Sequence, residues 1–195
     1  MYNNIIHDYI ENGNIVRTLL IEQSDIITAI TDSIVHTFHN GGKLVIFGNG
    51  GSAADAQHIT AEFVGGCFTE GIPLPAIALT TNTSCLTAIS NDYGYEYVFS
   101  RQVQSLVRKE DVVIGISTSG KSINVLKALM EANKIGAVTV ILTGEVSSFH
   151  PEVSYIVAVP SNDVRLIQEA HITIGHLICS LVGDAFITNK MIKTV

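Results

Sequence analysis

The sequence predicts an α/β protein built on a mainly parallel, five-stranded sheet. Two observations carry that expectation: five short, β-branched apolar runs recur along the chain, and stretches with helical periodicity separate them. A strand covered on both faces has no polar side to show, so it reads as a continuous apolar run. The runs are residues 43–48, 75–80, 111–116, 137–143 and 155–159. Helices are expected at 52–64, 98–107 and 122–134 between them. A long helical region at 5–39 precedes the first strand, with a break expected at the polar stretch 11–14, and a last helix covers 163–188. A length of 195 residues suits one domain, 1–195, whose residues 1–40 form a helical N-terminal region. No repeat, low-complexity segment or linker divides it.

Composition excludes several classes of function. With 47% hydrophobic and 15% charged residues, the chain has the make-up of a packed core rather than of disorder. A net charge of -7, with no cluster of basic residues, is unsuited to phosphate backbones, so no nucleic-acid partner is expected. No signal-peptide pattern opens the chain, and no apolar stretch is expected to reach the ~18 residues of a membrane span. Cys67, Cys85 and Cys179 are odd in number and lack CxxC spacing, so neither a disulfide framework nor a cysteine zinc site is expected. The expectation is a cytoplasmic protein without a membrane.

Parallel α/β sheets gather ligands beyond the carboxyl ends of their strands. The first strand ends in Gly48-Asn49-Gly50-Gly51-Ser52. Its glycines allow close ligand approach, and a helix starting at Ser52 would favour an anionic or hydroxyl-rich group; the same residues also make an ordinary strand-to-helix turn with a serine cap. The third strand runs into Ser117-Thr118-Ser119-Gly120-Lys121-Ser122. Hydroxyls and free N–H groups at a helix start form a phosphate cradle, or a polar capping turn; the spacing is not that of a nucleotide P-loop. After the second strand, Asn91 and Asp92 could bind sugar hydroxyls or form an Asx turn.

Two helices carry the proton-moving candidates. His58 and Glu62 are four apart and share a helix face. On the last helix Gln168 and His176 are eight apart and lie along one side, while His171 points elsewhere and is expected to pack or to face a partner. His58, Glu62, Gln168 and His176 form a mixed nitrogen–oxygen set acceptable to zinc. Without metal, Glu62 could act as base and His176 as acid; the four could equally be satisfied polar residues of the core.

Taken together, Gly48 to His58 with Glu62, Ile116 to Gly120 with Ser122, and Ile167 to His171 with His176 resemble the phosphoheptose isomerases, a family of sugar-isomerase (SIS) domain proteins. The resemblance spans essentially the whole chain. It implies a three-layer αβα sandwich and interconversion of sedoheptulose 7-phosphate with D-glycero-D-manno-heptose 7-phosphate, which leads to the heptose of lipopolysaccharide. It also implies a homotetramer with active sites at subunit interfaces and one zinc per subunit, held by His58, Glu62, Gln168 and His176. By the same resemblance Ser117, Thr118, Ser119 and Ser122 hold the phosphate. Asn49, Gly50, Gly51, Ser52, Asn91 and Asp92 line the sugar with Gln168 and Glu62, and Glu62 and His176 are catalytic. The chain departs from the pattern at 65–71, where relatives carry arginines. It departs again at Lys121, where asparagine is usual, and at 164–166. A non-catalytic SIS adaptor that binds a replication initiator is the alternative; it lacks equivalents of Glu62 and His176, and this chain has both.

Overall fold

The computed structural model describes residues 2–145 and 152–193, with side chains to residue 188. Helices α1 (Tyr2–Leu19) and α2 (Ser24–His39) lead into β1 (Leu44–Gly48). Then follow α3 (Gly51–Gly65), β2 (Ala76–Ala78), α4 (Thr83–Tyr93), α5 (Ser100–Leu106), β3 (Val112–Ser117), α6 (Ile123–Ile135), β4 (Val138–Thr143), β5 (Tyr155–Ala158) and α7 (Val164–Lys193). The strands pair in parallel in the order β2-β1-β3-β4-β5.

Both faces of the sheet are covered, which is why its strands are apolar throughout. In β1, Leu44 and Ile46 face a core built with α2, α3 and α7, including Ile30, Ile34, Phe63, Ile174 and Val182. Val45 and Phe47 face the opposite core, with Val103 of α5, and Val125 and Leu129 of α6. There Phe47 stacks on Phe99 at 5.1 Å between centroids. The result is the three-layer arrangement the sequence led us to expect.

Three expectations need correction. Helix α1 runs unbroken through 11–14, and the interruption is instead a single 3-10 turn at Leu20–Gln23. Gly13 is buried where α1 lies against Leu166 and Glu169 of α7, so the glycine serves a close contact rather than a break. Helix α4 occupies a stretch read as loop; Asn82 caps it by accepting from the Cys85 N–H at 3.0 Å. Finally, α7 is long and apolar enough to cross a membrane by length and composition, where no such stretch was expected. Its Leu166, Ile167, Ala170, Ile174, Ile178 and Val182 nevertheless form part of the core.

Candidate active site

The strand order reverses between β1 and β3. Helix α3 leaves β1 toward one face and α6 leaves β3 toward the other, which opens a crevice at their carboxyl ends. The two turns singled out in the sequence flank this crevice. In the first, Gly50 has φ +56 and ψ -121, a region open to glycine, and precedes the first turn of α3. Ser52 is buried there, its N–H donating to the Asn49 carbonyl at 3.0 Å. Asn49 is held by three bonds. It exchanges two amide hydrogen bonds with Asn124 of α6, at 2.9 and 2.8 Å, and accepts a third from the Tyr95 hydroxyl at 3.0 Å.

The second turn curls over its own hydroxyls. The Ser117 hydroxyl donates to that of Ser122 at 3.0 Å, and the Lys121 N–H donates to the Ser119 hydroxyl at 3.2 Å. With Ser122 occupied in this way, the first turn of α6 has no side-chain cap from it. Uncapped N–H groups beside three serines would suit a phosphate. Thr118 contributes its carbonyl to Gly144 at 3.0 Å.

The candidate proton-moving groups converge where α3 meets α7. His58 and His176 bring their Nε2 atoms to 2.9 Å, and Glu62 Oε1 lies 3.4 Å from His58 Nε2. Small residues permit this approach. A side chain at Gly175 would press on Ile59, and one at Gly183 would overlap the Phe68 carbonyl. His58 and Glu62 sit on one face of α3 as their spacing required, and the spacing of α7 brings His176 opposite.

Gln168 does not join them within the chain. Eight residues of helix rise about 12 Å, and its amide lies instead against Gly51, beside the Gly-rich turn. Asn91 and Asp92 form no Asx turn, being in the last turn of α4; Asn91 Nδ2 donates to Asp92 Oδ1 at 2.8 Å. Asp92 borders a separate cleft of about 510 Å³ between α4 and α5.

The sequence reading passed over four neighbours. Asn124 and Tyr95 hold Asn49, as described. The Cys67 thiol lies beside the Glu62 carboxylate, whose negative charge raises its pKa and keeps it protonated. Asp55, one turn before His58, is pushed upward by burial, and its Oδ2 has no partner. The signals were faint: an amide just inside a helix start, and polar groups one turn from a recognised pair. His171 is fully buried, so it packs rather than reacts, and burial lowers its pKa to about 4.

His58, Glu62 and His176 offer two imidazole nitrogens and a carboxylate oxygen within 4.8 Å of one another. Tetrahedral zinc sites with bonds near 2.0–2.1 Å space their nitrogen ligands by ~3.3 Å, and catalytic sites keep one position open. The three groups therefore fit such an ion.

A doubly covered parallel α/β sheet with hydroxyl-rich turns at its switch point fits the SIS-domain class, and the SIS-domain family profile matches residues 8–144, which carry both turns, His58 and Glu62. A phosphoheptose isomerase from Roseiflexus is 52% identical over 90% of this chain and 90% of its own. One from Aneurinibacillus thermoaerophilus is 43% identical over 98% of each. Among solved structures, phosphoheptose isomerase from Neisseria gonorrhoeae superposes with a TM-score of 0.86 at 35% identity, covering 93% of this chain and 99% of that one. The chain belongs to the phosphoheptose isomerase family of SIS-domain proteins.

Proposed function

We propose that this protein interconverts sedoheptulose 7-phosphate and D-glycero-D-manno-heptose 7-phosphate, supplying heptose for lipopolysaccharide. The observation that carries the proposal is the convergence of His58, Glu62 and His176 between α3 and α7, about two helical turns (~10 Å) along α3 from a Gly-rich turn and a serine turn suited to a phosphorylated polyol. The phosphate sits on the turn of Ser117, Thr118, Ser119 and Ser122. The sugar chain crosses toward Asn49, Gly50, Gly51 and Ser52, with Gln168 beside Gly51. Asn91 and Asp92, the latter bordering the separate cleft between α4 and α5, would have to reach the sugar of a neighbouring subunit.

An aldose–ketose exchange moves one proton between adjacent carbons and another between their oxygens. Glu62 takes a proton from C1 of the ketose; His176 protonates O2, giving an enediol. Glu62 then returns its proton to C2 while His176 accepts the proton from O1, leaving the aldose and both groups restored. Glu62 Oε1 faces His58, so Oε2 is the oxygen that carries the proton. A zinc ion held by His58, Glu62 and His176 would supply a Lewis acid for the carbonyl oxygen. In this reading Gln168 serves the sugar; as a fourth zinc ligand it would have to come from a second subunit.

The same reading includes one SIS domain over 1–195 with 1–40 as its helical extension, a homotetramer and a cytoplasmic setting. Exposed Tyr2, Ile5, Ile6 and Ile10 on α1, with Leu177 and Leu181 on α7, supply apolar surface for subunit contacts. Cysteines left as free thiols suit a reducing compartment. The adaptor alternative is disfavoured because Glu62 and His176 are both present and meet.

The test is to incubate the purified protein with sedoheptulose 7-phosphate, with zinc or with a chelator, and to follow the aldose by NMR. Aldose formed with zinc and lost on chelation is expected. Its absence under every metal condition would overturn the proposal in favour of the adaptor.

A further inference from the structure

We infer that Asn124 is a positioning residue: with Asn49 and Tyr95 it clamps the two ligand-facing turns at a fixed separation, and thereby sets the length of sugar phosphate that can bridge them. The inference rests on the isomerase reading for its substrate, but the clamp itself is a property of the protein alone.

The bonds form a directed chain. The Val125 N–H donates to Asn124 Oδ1 at 2.9 Å, which fixes which end of the Asn124 amide is the oxygen. That oxygen also accepts from Asn49 Nδ2 at 2.9 Å, while Asn124 Nδ2 donates back to Asn49 Oδ1 at 2.8 Å. The Tyr95 hydroxyl then fills the second lone pair of Asn49 Oδ1 at 3.0 Å. Asn124 is 4% exposed, so the pair is shielded from competing water on that side.

Each partner belongs to a different loop at the carboxyl end of the sheet: Asn49 after β1, Tyr95 after α4 and Asn124 just inside α6. Lys127, one turn further along α6, lies over the Tyr97 ring at 3.7 Å and 3.7 Å from Glu96, so the segment 95–97 is tied to α6 directly as well as through Asn49. With its oxygen saturated and one of its two N–H groups used, Asn49 has a single donor left for a ligand. Its larger contribution is to hold the Gly-rich turn against the start of α6, where the phosphate turn ends. A molecule reaching both turns feels that separation, whereas inorganic phosphate, touching one turn, does not.

Asn124→Asp keeps the acceptor for the Val125 N–H, cannot donate to Asn49 Oδ1, and sets one oxygen against another. Tyr95→Phe removes a single exposed hydroxyl and leaves the fold untouched. In Asn124→Asp, amide hydrogen exchange should rise together at 50–52 and at 123–125, and KM for sedoheptulose 7-phosphate should rise about 10-fold. Inorganic phosphate, titrated by calorimetry, should bind within about twofold of wild type. Tyr95→Phe should raise exchange at 50–52 by a smaller factor, about threefold. Unchanged exchange at 50–52 overturns the clamp. So does a loss of inorganic phosphate affinity that matches the rise in KM, because Asn124 would then serve its own turn alone. Should Asn124→Asp not fold, unchanged exchange in Tyr95→Phe overturns it. A wild-type protein that makes no aldose would sink the isomerase reading, while the exchange measurement would still decide the clamp.

Discussion

The two turns of the crevice and the seam between α3 and α7 solve opposite problems. The turns are locked before any ligand arrives: their amides and hydroxyls bond mainly to one another. The seam instead gathers titratable groups, which lie against one another and remain partly open to solvent. His58, Glu62 and His176 face each other, with the Cys67 thiol beside Glu62; α7 comes close to α3 at Gly175, against Ile59, and to the segment after α3 at Gly183, against Phe68. In the proposed function the turns, whose polar groups are fixed, bind the substrate, and the seam, whose groups can exchange protons, does the chemistry. If the comparison holds, damage to the seam lowers kcat and damage to the turns raises KM.

The largest expected effect is at Glu62. Glu62→Gln keeps size and hydrogen bonding but cannot move a proton, so kcat should fall about 10³-fold, or ~4 kcal/mol of barrier. KM and the melting temperature should stay near wild type. A kcat within a few-fold of wild type would break the comparison at its centre.

The next effect, on stability, separates the two histidines of α7. His171 is buried, neither ring nitrogen has a partner, and its pKa is lowered to about 4. The unfolded chain, with an ordinary histidine near 6.5, therefore binds the proton first as pH falls. Stability contributed by neutral His171 is complete above pH 6.5, declines below it and levels off near pH 4, a total of about 3 kcal/mol. Urea unfolding of wild type and His171→Leu at pH 7 and pH 5 should show wild type losing about 2 kcal/mol more. Equal losses in both proteins would show that His171 finds a partner for its proton in the folded state.

How much of this was legible depended on range. All five strands lie within about two residues of the apolar runs, because a doubly covered strand leaves no ambiguity of face. The serine and glycine turns were legible for the same local reason. Helix α4 was not: none of its residues is buried, so no strong apolar stripe marks it, and the Asn82 cap was the available sign. Gly13 misled because a glycine chosen for contact with α7 looks the same in sequence as one chosen for a break. That His58 meets His176 was beyond local pattern altogether. The glycines at 175 and 183 hinted at a close helix contact, but with no indication of which helix.

Those glycines give the third test. A methyl at 183 would overlap the Phe68 carbonyl, a backbone atom that cannot rotate away, whereas one at 175 meets the flexible end of Ile59. Gly183→Ala should therefore cost about 2 kcal/mol and prise the seam apart, with zinc affinity, followed by calorimetry, falling alongside stability. Gly175→Ala should be milder on both counts. Equal behaviour of the two would mean that the spacing of α3 and α7 is set elsewhere.

The smallest effect tests the turns. Ser119 is exposed and accepts from the Lys121 N–H at 3.2 Å, so removing its hydroxyl leaves no buried group stranded. Ser119→Ala should cost less than about 1 kcal/mol of stability. If the hydroxyl also meets the phosphate, KM should rise a few-fold, with inorganic phosphate weakened by the same factor, because this residue touches the anion itself. The rate at saturation should not change, since the seam is untouched. A fall in kcat with KM preserved would place Ser119 on the side of the chemistry and erase the division between turns and seam.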